Sequence, residues 1–235
     1  AAESLPTPND ATYGRFSQGT ARMLLIRLYL HQKRWAEVKE QANLIMAMNY
    51  YELESDYVSL WQVGAPLESK EIIWTIPADY AGTSENQWQV MAAPNNFPGV
   101  TGFGTIQSSW KFYDSFEAND VRKTNLIAEY TGTDGVLYNR SNPSNVMQLG
   151  PIPLKIGLDP ALPGLTTIDI IVYRYADVLL SKAEAIANET LIPTQESIDL
   201  INIVRNRAGL DDILLTNFAD IDTFNTMILL ERSHE

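Results

Sequence analysis

The sequence predicts a mainly α fold, in which two helical hairpins hold between them a long loop-rich insert containing short strands. Three observations predict it. Apolar residues recur at three- and four-residue spacing on both flanks, over 14–50 and 173–209, as they do on the buried face of a helix. Between residues 78 and 167 lie 9 of the 13 glycines and 7 of the 12 prolines, which a helical array does not tolerate. The run Glu71-Ile72-Ile73-Trp74-Thr75-Ile76-Pro77 is β-branched and aromatic and stops at a proline, as a strand does.

Residues 1–13 are polar and proline-punctuated, an extended lead-in. A helix begins near Ser17, with Ala21, Leu24, Leu25, Leu28 and Tyr29 on one face. Met23, Ile26 and Leu30 make it apolar almost all round, so burial on more than one side is expected. Lys33-Arg34 interrupts it. A second helix follows from about Trp35 to Asn49, with Val38, Ala42, Ile45, Met46 and Asn49 on one face. Leu25, Tyr29, Trp35 and small Ala42 follow the order of a tetratricopeptide-like unit, where a small residue lets two helices cross closely. Tyr57–Trp61 reads as a short helix or turn. In the insert, 110–116 and 120–124 are the expected ordered pieces. Helical spacing returns at Tyr173 and continues through Val178, Leu179, Ala183 and Ile186. Thr194 is the expected N-cap of the next helix, with Ile198, Ile201 and Val204 inward and Gly209 as its stop. A last helix over about 220–235 carries Phe224, Met227, Ile228 and Leu229. The expected organisation is one domain fragment: a hairpin scaffold at 14–50 and 173–209, a ligand-binding insert at 72–167, and a terminal helix.

Composition narrows the function. The 235 residues carry a net charge of −12 without a basic run, which disfavours nucleic acid and anionic lipid. There is no cysteine, so disulfides, thiol nucleophiles and zinc ribbons are excluded. Two histidines, His31 and His234, leave little for triad catalysis or a multi-histidine metal site, and no cofactor is called for. No apolar stretch is long enough to span a membrane. The chain opens on Ala1-Ala2-Glu3 and closes inside a helical pattern, and reads as a fragment of something longer.

Several segments, taken in order, resemble the SusD/RagB family of outer-membrane glycan-binding lipoproteins. They are Gly14-Arg15-Phe16-Ser17-Gln18-Gly19-Thr20-Ala21, Leu28-Tyr29-Leu30 with Lys33-Arg34-Trp35-Ala36-Glu37, and Asp114-Ser115-Phe116 followed by Asp120-Val121-Arg122. The last three are Tyr173-Arg174-Tyr175-Ala176-Asp177-Val178-Leu179-Leu180 with Ala183-Glu184-Ala185, Asn202-Ile203-Val204-Arg205-Asn206-Arg207-Ala208-Gly209-Leu210, and Glu231-Arg232. Ser233 stands where that family usually has Arg. The resemblance implies a non-enzymatic lipoprotein on the surface of the outer membrane. It implies capture of oligosaccharide or polysaccharide for a SusC-like TonB-dependent transporter, with contact to the membrane only through a lipid anchor outside this fragment. The alternative is a tetratricopeptide-like protein-interaction module without glycan binding.

Sugars present C–H faces to flat rings and a rim of hydroxyls to amides and carboxylates. The insert holds such a kit in Tyr80, Trp88, Phe97, Phe103 and Trp110. Tyr80, Trp88 and Phe97, with Asn86, Gln89 and Asn96, are the expected ligand-binding residues; the competing reading of Trp88 is that it packs under its own loop. Trp110 reads as core. Asp114, Asp120 and Arg122 are expected to form a polar knot, Arg205 and Arg207 to pair with Asp177 or Glu184, and Arg174, flanked by Tyr173 and Tyr175, to stack on a ring. Thr131-Gly132-Thr133-Asp134-Gly135 lacks the alternating acids of a calcium loop and reads as a turn.

Overall fold

The computed structural model describes residues 2–64, 69–78, 86–159, 161–162 and 164–235. In chain order its helices are α1 (Gln18–His31), α2 (Trp35–Met46), α3 (Trp88–Ala92), α4 (Trp110–Asp114), α5 (Tyr175–Thr190), α6 (Gln195–Arg207) and α7 (Ile221–His234). Its strands are β1 (Ile72–Ile76), β2 (Leu126–Ile127), β3 (Glu129–Thr131), β4 (Leu137–Asn139), β5 (Ile152–Pro153) and β6 (Ile170–Arg174). The strands form three two-stranded ribbons, β1 with β6, β2 with β5 and β3 with β4. The chain divides into a helical unit (Ala1–Ser55, Ser69–Ile76, Ile171–Glu235) and a loop unit (Asp56–Glu68, Pro77–Ile170).

In the helical unit, side-chain oxygens start the helices. Ser17 accepts from the Thr20 N–H at α1, Thr194 from the Ser197 N–H at α6, and Asp220 from the Thr223 N–H at α7. α1 ends at a tight turn with Lys33 in the left-handed region, and α2 returns against it. α5 is buried on nearly every side because it serves two cores. One face, with Val178 and Ala185, packs against Met23 and Ile26 of α1 and Val38, Ala42 and Ile45 of α2. The other, with Leu179, Leu180 and Ala183, packs against Ile198, Ile201 and Val204 of α6 and Phe224 and Ile228 of α7. Gly209, at φ 79°, stops α6.

Several local expectations are corrected. On α1 the buried stripe is Gly19, Thr20, Arg22, Met23 and Ile26, while Leu24 and Leu28 face outward; polar Thr20 and Arg22 are inside because Ile73 O and Gln41 Oε1 accept from them at 3.2 and 3.0 Å. α2 stops at Met46, three residues early, because Asn49 turns left-handed. α5 starts at Tyr175, since Tyr173 and Arg174 belong to β6. The Arg174 guanidinium is engaged by carboxylates, donating to Glu71 at 2.6 Å and to Glu235 at 3.0 Å. Arg207 donates to the same two carboxylates at 2.8 and 2.7 Å. Arg205 meets Glu231, and Arg232 takes both Asp177 and Glu184. A buried carboxylate needs its cations within hydrogen-bonding reach, and α7 carries one of them back across α5.

The loop unit has its own core of Val90, Ala92, Ala93, Phe97, Val100, Tyr130, Val146, Met147, Ile152 and Leu154. Asp120 and Arg122 form a fully buried pair, Oδ2 to Nη2 at 2.8 Å. Asp114 is not part of it; it is exposed and holds Arg140 through two bonds at 3.0 and 3.1 Å. β3 and β4 make a hairpin closed by the turn over 132–135, with Tyr130 directly opposite Tyr138.

Candidate functional site

A cleft of the loop unit, about 760 Å³, opens beside that hairpin. Its lining includes Asn95, Asn96, Phe103, Asp134, Tyr138 and Asn145. Local sequence positions each of them. Pro94 to Gly99 turn sharply after α3, and Gly99 sits at φ 78°. Phe103 follows, between two glycines that cannot be replaced. A Cβ at Gly102 would meet the backbone of Ala93, and Gly104 lies at φ 61° against Val146. The Phe103 N–H donates to Val90 O and the Thr105 N–H to Met91 O, so the segment is clamped to α3 by its backbone. The clamped backbone leaves the Phe103 ring 70% exposed at the cleft. Single exposed apolar side chains are ordinary on a protein surface, and Phe103 is set apart by its place in the lining of the cleft rather than by its exposure.

Opposite it, rings form a column from core to surface. Phe97 is buried and lies 5.0 Å from Tyr130, which stacks on Tyr138 at 5.2 Å and 23°. Hydrogen bonds tie the column to the lining: Tyr130 Oη donates to Asn96 Oδ1 at 2.8 Å, Tyr138 Oη to Asp134 Oδ2 at 2.7 Å, and Asn96 Nδ2 to Asp134 Oδ2 at 3.3 Å. The Tyr138 hydroxyl and then the Val136 N–H hold the Asp134 carboxyl below the usual carboxylate range. The same bond to Asp134 raises the Tyr138 phenol, and burial raises Tyr130. The arrangement offers flat apolar faces, amides of both polarities and one acceptor-only carboxylate.

The expected ligand residues fall in different places. Asn96 lines the cleft, and Phe97 lies beneath it as the base of the ring column. Asn86 is buried, its Nδ2 donating to Ile168 O and its Oδ1 accepting from the Trp88 N–H. Gln89 is fully buried; its amide donates to Leu162 O and Leu165 O and accepts from the Asp159 N–H. These two amides tie Asp159, Leu162, Leu165 and Ile168 to the start of α3, beside the backbone bridge between Asn86 and Thr166. Trp88 is half-buried against the core, its Nε1 donating to Pro153 O at 2.9 Å. Tyr80 lies outside the described residues. The sequence reading missed Asp134, Tyr138 and Asn145. The available signal was two tyrosines placed symmetrically about a Gly-Thr-Asp-Gly turn, which brings them face to face in a hairpin.

Trp110 sits at the edge of the core, edge-on to Tyr113 and under the Arg140 guanidinium at 4.9 Å. Among the described residues no group of acids and histidines could hold a metal ion, and no helix is long and apolar enough to cross a membrane.

Residues 158–235 match the model of the SusD family. No curated protein matches the chain. Solved structures do. A SusD superfamily protein from Parabacteroides distasonis is 24% identical with a TM-score of 0.75, covering 97% of this chain and 51% of its own. Surface glycan-binding protein A from Bacteroides uniformis is 20% identical with a TM-score of 0.76, covering 100% and 52%. Surface glycan-binding protein A from Bacteroides thetaiotaomicron, in complex with laminarihexaose, is 18% identical with a TM-score of 0.70, covering 97% and 55%. This chain spans about half the length of the structures it matches. Helices α5, α6 and α7 thus lie within the segment that matches the SusD family model, and the chain shares its fold with these solved structures.

Proposed function

We propose that the chain is the glycan-capturing part of a SusD-like binding protein, and that the cleft beside the β3–β4 hairpin receives the sugar. One observation carries this reading: an exposed phenylalanine on a clamped backbone faces a cleft that also holds Tyr138, three asparagines and Asp134. A pyranose fits such a lining, with its C–H face on a ring and its hydroxyls on the amides and the carboxylate. The volume suits a short oligosaccharide. Asn96 is the residue of the sequence-based set that contributes directly. Phe97 contributes by supporting Tyr130, and Trp88, Asn86 and Gln89 by fixing the loops. The fold supports the same reading, since structures sharing it include glycan-binding proteins, one solved with laminarihexaose.

Binding without chemistry, a place on the cell surface through a lipid anchor, and delivery to a SusC-like TonB-dependent transporter complete the proposal. Isothermal titration of the chain with a panel of neutral oligosaccharides, laminari-oligosaccharides among them, tests it. Phe103→Ala is expected to weaken binding roughly ten-fold or more, as loss of a stacked ring does. Asn96→Ala should weaken it too. No heat with any member of the panel, or heat that survives Phe103→Ala unchanged, refutes the site.

A further inference from the structure

We infer that this cleft selects neutral glycans and turns away those that carry carboxylate or sulfate groups. The inference rests on the cleft being the glycan site. Among the described residues its lining contains no lysine, arginine or histidine, and the one charged side chain there is Asp134. Proteins that recognise uronates or sulfates place a guanidinium or ammonium against the anion, because removing it from water without a counter-charge is costly. Two cations near the hairpin in sequence are already engaged. Arg140 is held by Asp114 through two bonds and lies over the Trp110 ring, and the Lys123 ammonium lies 4.3 Å from the Tyr113 ring centre.

Asp134 adds a positive preference. An ionised carboxylate only accepts hydrogen bonds, and its two oxygens together take about four. Oδ2 accepts from Tyr138 and Asn96, and Oδ1 from the Val136 N–H. The remaining capacity suits hydroxyl donors, which a neutral sugar has on every ring. A ligand carboxylate in the same place brings no proton and repels the charge. The net charge of −12 extends that repulsion beyond the cleft.

The test takes the neutral oligosaccharide that binds best and the same chain oxidised at C6 to the uronate, titrated at low salt into the wild-type chain, Phe103→Ala and Asp134→Asn. Asp134→Asn keeps an oxygen that can accept from the Val136 N–H but gives up an acceptor of Tyr138 and Asn96, so the hairpin is verified in the variant by the Tyr138 ring resonances, and the salt dependence of the wild-type chain carries the test where the hairpin is lost. The uronate should bind roughly five- to ten-fold more weakly than the neutral chain, the size expected of like charges near a wetted surface. Added salt and Asp134→Asn should both narrow the gap. If the uronate binds as tightly as the neutral chain, and Phe103→Ala abolishes both, the selectivity is wrong while the site stands. If neither ligand binds, or Phe103→Ala changes neither, the site itself falls and the selectivity with it.

Discussion

Gly19 sits in the first turn of α1 for a reason that helix propensity does not supply. A Cβ there would lie 2.8 Å from Cε2 and Cζ of Tyr51, inside contact distance of a buried ring. In an exposed helix, Gly→Ala stabilises by about 1 kcal/mol. Here Gly19→Ala should destabilise instead, lowering the urea midpoint without changing the slope, because the Tyr51 ring must move in a packed core. Burial also pushes the Tyr51 phenol up to about 12, so this ring stays neutral to alkaline pH and its ultraviolet titration should lag behind that of exposed tyrosines. Trp88 makes a similar case in the loop unit. Its indole packs on the core and donates to Pro153 O, so Trp88→Ala should cost about 3 kcal/mol in unfolding, measurable by calorimetry, with a smaller effect on glycan affinity than Phe103→Ala.

At the scale of elements, caps and turns decide where regular structure begins and ends. Thr194→Ala removes the acceptor of the Ser197 N–H and should cost about 1 kcal/mol, read as a lower melting temperature of the whole chain. The β3–β4 hairpin depends on Asp134, which joins the turn to both Tyr138 and Asn96. Its carboxyl is held low, so the stabilisation it provides is complete above the ordinary carboxylate pKa and is lost as pH falls through the depressed value. Tyrosines 130 and 138, the other titrating groups at this spot, are both raised and stay neutral throughout. The Tyr138 ring resonances should therefore hold steady through the ordinary carboxylate range and shift only in stronger acid, while Asp134→Asn should remove that late transition.

Across the whole molecule, the helical unit is closed by contacts between residues far apart in the chain. Glu71, on the lead into β1, receives Arg174 from β6 and Arg207 from α6, and Glu235 receives the same two arginines. Glu71 is fully buried, so Glu71→Ala would remove a buried carboxylate from between two guanidinium groups. A loss of about 3–5 kcal/mol is expected, read from chemical denaturation, and Glu71→Gln should recover only part of it because hydrogen bonding survives but the charge does not. The loop unit has an independent core, and its two buried amides, Asn86 and Gln89, add side-chain ties to its short ribbons.

The sequence alone determined the class of fold. Helical spacing marked α1, α2, α5, α6 and α7, Thr194 and Gly209 marked the limits of α6, and the glycine and proline content marked the interruption. These are local signals: each depends on residues within a turn or two of one another. The tertiary structure decided the partners of the arginines, the outward side of α1 and the identity of the cleft. Arg205 and Arg207 have several acids within plausible reach along the chain, and only the return of α7 past α5 selects Glu231 and Glu235 over Asp177 and Glu184. A ring in a loop has the same one-letter signature whether it is buried like Phe97 or exposed like Phe103. Which of the two faces water depends on how separate segments close over it, and that is a property of packing rather than of neighbouring residues.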